Sequence, residues 1–120
     1  MTTEASKRGR SSRNKGANGE RELARILSET FGLSDVKRGL VFCHESDLIG
    51  IKGIHVECKR VEKLNIDKAM EQAIAESEKR KDGVPTVFHR RNRKPWLVTM
   101  KLEDWIELYK GANNGKCENN

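Results

Sequence analysis

Apolar residues recur at two different periods along this chain. Leu23, Ala24, Leu27 and Phe31 fall on one side of a 3.6-residue helix, and Gly32 follows them as a stop. Asn18 stands just ahead of that run, where its side chain can accept from free backbone N–H groups, so the helix is expected to begin after it. A second stripe, Ile66, Ala69, Met70, Ala73 and Ile74, predicts a helix that closes on the charged turn 78–82 and stops at Gly83 before Pro85. Leu102, Trp105, Ile106 and Tyr109 form a third stripe, which predicts a short closing helix over 102–109 with Trp105 in the core.

Between these helices the period shortens. Leu40, Val41, Phe42 and Cys43 read as a first strand. In 54–59, Ile54, Val56 and Cys58 alternate with His55, Glu57 and Lys59, as in a strand with one buried face. Gly50 and Gly53 bracket a turn, so 47–52 and 54–60 read as a hairpin. Thr86, Val87 and Phe88 predict a fourth strand and residues 96–100 a fifth, on either side of a polar turn. The element order is α-β-β-β-α-β-β-α. It predicts an α/β domain with a central mixed β-sheet flanked by helices.

Composition narrows the function classes. The 120 residues fit one domain with a modest core, since 35% are hydrophobic and another 35% charged. No stretch approaches the roughly 20 apolar residues of a membrane span. The N-terminus shows no apolar signal region, and three irregularly spaced cysteines suggest no disulfide framework. An intracellular, cytoplasmic setting is the expectation. The net charge is +6, and residues 1–15 carry five cations (Lys7, Arg8, Arg10, Arg13 and Lys15) against Glu4. That stretch reads as a disordered basic arm, 16–110 as the folded domain and 111–120 as a flexible tail. Arg90, Arg91, Arg93 and Lys94 crowd the turn 89–95, and Arg38 precedes the first strand. Two basic clusters favour a polyanionic partner, the other reading being a solubility tail and a solvated turn.

The candidate chemistry lies in the hairpin. Folding it returns Asp47 to the side of Glu57, whose face Lys59 shares. Two carboxylates beside a lysine make a hard, oxygen-rich site for a divalent cation such as Mg2+. The same residues also fit a charged outer face on a surface strand. Cys43-His44 and His55-x-x-Cys58 match no zinc spacing, and a strand puts His55 and Cys58 on opposite faces. Cys58 is expected to be a small core residue.

Asp47 followed by Glu57-Cys58-Lys59 resembles the D…(D/E)xK pattern of the PD-(D/E)XK nuclease superfamily. The upstream run KGANGERELARIL, residues 15–27, resembles the Gly-x-x-x-Glu-Arg-Glu-Leu opening of archaeal-type Holliday junction resolvases and of resolvase-like nucleases of phages. The resemblance spans about residues 15–109, with Ser46 in place of the proline that often precedes the aspartate. It implies a restriction-endonuclease-like core in which Glu20, Asp47 and Glu57 are acidic catalytic or metal-binding residues. The backbone carbonyl of Cys58 would be a further ligand and Lys59 the catalytic lysine. Gln72, on the helix after the ExK strand, and His55, on Glu57's face, are auxiliary candidates. The implied cofactor is Mg2+, with Mn2+ as substitute. The implied substrate is DNA, including four-way junctions, cut by a homodimer in recombination, repair or phage DNA processing. The phosphate contacts would come from Arg8, Arg10, Arg13, Lys15, Arg38, Arg90, Arg91, Arg93 and Lys94. The competing classes are a non-catalytic nucleic-acid-binding module and a nuclease without junction preference. Three carboxylates facing a polyanion favour an enzyme, because they repel phosphate unless a cation intervenes.

Overall fold

The computed structural model describes residues 4–39 and 47–118. In chain order it comprises α1 (Glu4–Phe31), β1 (Lys37–Arg38), β2 (Leu48–Ile49), β3 (Ile54–Arg60), α2 (Ile66–Arg80), β4 (Val84–Arg90), β5 (Leu97–Met100) and α3 (Leu102–Glu118). The five strands form one sheet in the order β1-β2-β3-β4-β5, antiparallel except for the parallel β3–β4 pair. The mixed sheet with flanking helices is the expected α/β, restriction-endonuclease-like architecture.

The parallel pair explains how β3 is buried. A parallel connection needs a crossover, here α2, and the crossover covers one face of the sheet while α1 covers the other. Val56 and Cys58 pack with Leu23, Ala24 and Leu48 under α1. On the opposite face Val87, the register partner of Glu57, packs against Ala69 and Ala73 of α2. Val56 and Val87 are fully buried, each stabilising the fold by about 1.5–3 kcal/mol. The strand read as half-buried is therefore buried on both faces, its polar face included.

Close approach of α1 to β3 depends on Gly19, because a Cβ there would lie 2.7 Å from the Arg60 Cβ. Gly32 ends α1 in the left-handed region at φ 63°, and the Leu33 N–H donates to the Ser28 carbonyl. Asn65 caps α2 by accepting from the Lys68 N–H. The C-cap of α2 is Lys81, two residues before the expected Gly83.

Several expectations shift. Helix α1 starts at Glu4, not after Asn18; Asn18 lies inside it, exposed, and accepts from Arg21. The preceding stretch has no proline and is rich in Lys and Arg, which extend a helix readily once Leu23 and Ala24 anchor it. The first strand is Lys37–Arg38, paired with Ile49 and Leu48, whereas the expected 40–43 lies outside the described residues. Helix α3 continues past Tyr109 to Glu118. Its apolar stripe is not core: Leu102 is 71% exposed and Trp105 49%, Trp105 stacking on Tyr109 at 5.3 Å. Amphipathic spacing predicted burial, but α3 follows the edge strand β5, where no further layer among the described residues covers it. No helix of the described residues is long and apolar enough to cross a membrane.

Candidate active site

Three backbone contacts fix Asp47. Its N–H donates to the Val56 carbonyl at 2.8 Å, and its own carbonyl accepts from Gly39 at 2.9 Å. The Cys58 N–H donates to Asp47 Oδ2 at 2.7 Å. The β2–β3 hairpin thus delivers Asp47 to the middle of β3, as its turn glycines predicted. Glu57, the residue before Cys58, is 2% exposed. Its Oε1 lies 3.3 Å from Lys59 Nζ, while Oε2 is buried without a hydrogen-bond partner among the described residues.

Helix α2 supplies the next layer. Lys59 Nζ donates to Gln72 Oε1 at 3.3 Å, and Gln72 Nε2 donates to Glu76 Oε1 at 3.3 Å. Gln72 therefore holds the lysine from one side and a third carboxylate from the other. Glu76 Oε2 lies 3.6 Å from His55 Nε2, and His55 Nδ1 lies 2.8 Å from Asp82. Both auxiliary candidates, Gln72 and His55, thus belong to one polar network under α2. Glu76 and Asp82 went unnoticed in the sequence. The i, i+4 spacing of Gln72 and Glu76 was the available signal.

Burial, and then the nearby Asp47 charge, push the Glu57 carboxyl up to about 8. Burial likewise raises Asp47, and the Glu20 charge adds to that against the Cys58 hydrogen bond. These acids resist losing their protons because their negative charges are confined together away from water. A divalent cation would offset that confined charge, and the carboxylate and carbonyl oxygens of this set suit a hard ion. Cys58 is different: burial lifts its thiol to about 12, so the side chain is inert in the core.

Glu20 reaches the site in company. Arg38 Nε donates to Glu20 Oε2 at 2.6 Å, linking α1 to β1. Arg38 is therefore engaged within the protein at its Nε. Glu22, on the same helix, accepts from Arg90 Nη1 at 2.5 Å and from Trp96 Nε1 at 2.8 Å. Arg90 also donates to the Lys94 carbonyl, so it ties the β4–β5 turn to α1. Arg91, Arg93 and Lys94 remain exposed at the tip of that turn. The Asn92 N–H donates to Glu62, and Arg93 adopts φ 60°. A groove of about 530 Å3, walled by Leu64, Ile66, His89, Arg91, Lys94 and Leu97, runs beneath it. Arg8, Arg10, Arg13 and Lys15 fall on the first half of α1.

The arrangement places an acid and a lysine on the interior strand β3, with Asp47 brought to it from just before β2, Gln72 over it from α2 and a basic turn at the end of the adjoining strand β4. A family model described as phage putative PDDEXK endonuclease matches residues 11–117. No curated protein matches the chain.

Proposed function

The chain belongs to this phage PDDEXK endonuclease family, and from that premise we propose that it hydrolyses DNA phosphodiester bonds with Mg2+ as cofactor, acting on branched DNA. The observation that carries the reading is Glu57, buried beside Asp47 with Lys59 at 3.3 Å. A surface strand with a charged outer face would leave that carboxylate in water. Asp47, Glu57 and the Cys58 carbonyl would hold the ion, with Glu20 adjusting its surroundings through Arg38. When bound, Mg2+ would supply Lewis-acid charge to the phosphoryl oxygens and to the attacking water.

The chain's own groups do the rest. Lys59, steadied by Gln72, donates to the charge that develops on the phosphoryl group. Arg91, Arg93 and Lys94, with the cations of residues 1–15, hold the phosphate backbone. Two symmetric cuts in a four-way junction call for two sites, so a twofold homodimer is the economical assembly.

The test is a cleavage assay on a four-way junction, a linear duplex, a flap and single-stranded DNA, each with Mg2+, Mn2+ or EDTA. Paired, metal-dependent cuts confined to the junction are expected. Metal-dependent cuts without that preference would remove the junction reading and keep the nuclease. DNA binding without cleavage on any substrate would make the chain a binding module.

The basic turn gives a separate expectation. Replacing Arg91 and Arg93 together by alanine should weaken DNA binding about equally on all sequences. If both contact phosphates, the double variant should lower the slope of log affinity against log salt by about 1.8. The measurement is a salt titration of binding with EDTA present. An unchanged slope would take the turn out of the interface. Arg90 is unsuited to this test because it anchors the turn to Glu22.

A further inference from the structure

The polar network under α2 contains a second cluster of ligand atoms. One atom each from His55, Glu57 and Glu76 lies within 4.8 Å of the others. Acidic groups gather on many protein surfaces, and their proximity alone says little. Here the decisive group is His55, which is 0% exposed and has a buried Nε2 without a hydrogen-bond partner among the described residues.

The other ring nitrogen explains the orientation. Nδ1 lies 2.8 and 2.9 Å from the two Asp82 carboxylate oxygens. An ionised carboxylate can only accept, so Nδ1 carries the hydrogen. The imidazole Nε2 then faces Glu76 at 3.6 Å and the Glu57 carboxyl. In the Nδ1–H tautomer that nitrogen is an acceptor turned towards two carboxyl groups, and a divalent cation between them would satisfy all three. A carboxylate that receives one ring N–H while the other nitrogen faces further ligands is the supporting arrangement found around metal-bound histidines. Glu57 Oε2 is a second buried polar atom without a hydrogen-bond partner among the described residues.

We infer that His55 Nε2, Glu76 and one Glu57 oxygen form a divalent-metal site on the α2 side of β3, selective for imidazole-binding ions such as Co2+ or Zn2+ over Mg2+. One nitrogen and two carboxylate oxygens suit those ions, whereas Mg2+ favours an oxygen shell. Access lies through Glu76, whose side chain is 33% exposed. Asp82 is a positioning residue that orients the imidazole. The site shares Glu57 with the proposed Mg2+ position, yet its ligand atoms stand whether or not the chain cuts DNA.

The experiment is a Co2+ titration of the metal-free protein, without DNA, followed by visible absorption and by nitrogen NMR of the histidine side chains. The parent should bind Co2+ with a ligand-field band and lose the His55 ring signals to paramagnetic broadening. Millimolar Mg2+ should leave that band in place. Glu76→Gln should weaken Co2+ binding on the order of 10- to 100-fold or more, while Asp47→Asn should retain it. His55→Gln is the direct variant but removes a fully buried side chain, so Glu76, one-third exposed, provides the variant expected to stay folded. Circular dichroism verifies that both do. If Co2+ binding is absent, or His55 carries protons on both nitrogens and bridges Asp82 to Glu76 as an imidazolium, the inference is overturned. It is equally overturned if Asp47→Asn abolishes the band and Glu76→Gln does not. Mg2+-dependent cleavage by the same parent preparation reports separately on the nuclease reading.

Discussion

Glu57→Gln should abolish metal-dependent cleavage, by on the order of 10³-fold or more, while the protein stays folded and still holds DNA. The substitution keeps the shape of the side chain and removes its charge. Lys59 at 3.3 Å loses its ion pair, but Gln72 still accepts from it. A folding defect is not expected, for a reason the pKa makes explicit. The Glu57 carboxyl is raised from 4.5 to about 8 in the metal-free fold. A raised carboxylate pKa means that the folded state binds the proton more tightly than the unfolded chain does. The stability this gives is fully present below 4.5 and is lost as pH rises towards about 8. Melting of the metal-free parent should therefore move to lower temperature across that interval, and the glutamine variant should move less. At the alkaline end the variant should melt at the same temperature as the parent or above it. Added Mg2+ should raise the parent's melting temperature and leave the variant's unchanged. Melting curves across pH, with and without Mg2+, beside a junction-cleavage time course, measure all of this. A variant that melts far below the parent would make Glu57 a structural residue.

Lys59→Met should give the complementary signature. The methionine keeps much of the aliphatic stem but has no ammonium to offer the phosphoryl group. Cleavage should fall about 10²- to 10³-fold, the range seen when one donor to a developing oxyanion is removed. Mg2+ should still raise the melting temperature, because both acids remain. Single-turnover cleavage with saturating DNA separates this loss from a loss of binding. Loss of the Mg2+ response together with cleavage would place Lys59 in holding the acids rather than in the chemistry. Opposite metal responses in the two variants, with similar losses of cleavage, would separate the acid from the lysine.

Much of the architecture was legible in local pattern. The alternation over 54–59 located β3, which runs one residue further to Arg60, and the stripe from Ile66 to Ile74 located α2. Gly50 and Gly53 both adopt positive φ at the turn that brings Asp47 back to β3. Turn glycines and short-range periodicity are properties of neighbouring residues, so a sequence can carry them. The same reasoning failed at the chain's ends. Nothing local distinguishes a basic arm from a helix propagated out of an anchored segment, so the start of α1 at Glu4 was missed. Nor could the stripe of Leu102, Trp105, Ile106 and Tyr109 reveal whether another layer covers it.

The sequence by itself determined the α/β order, the hairpin that sets Asp47 beside Glu57, and the family to which the Asp47, Glu57 and Lys59 pattern belongs. Tertiary structure decided the environment of those residues. Only the parallel β3–β4 pairing, closed over by α2, buries a face whose alternation reads as solvent-exposed. Burial depends on which distant elements stack, and the partners Gln72, Glu76 and Asp82 lie 15, 19 and 25 positions beyond Glu57. From that stacking come the raised Glu57 pKa, the grip of Gln72 on Lys59 and the buried face of His55.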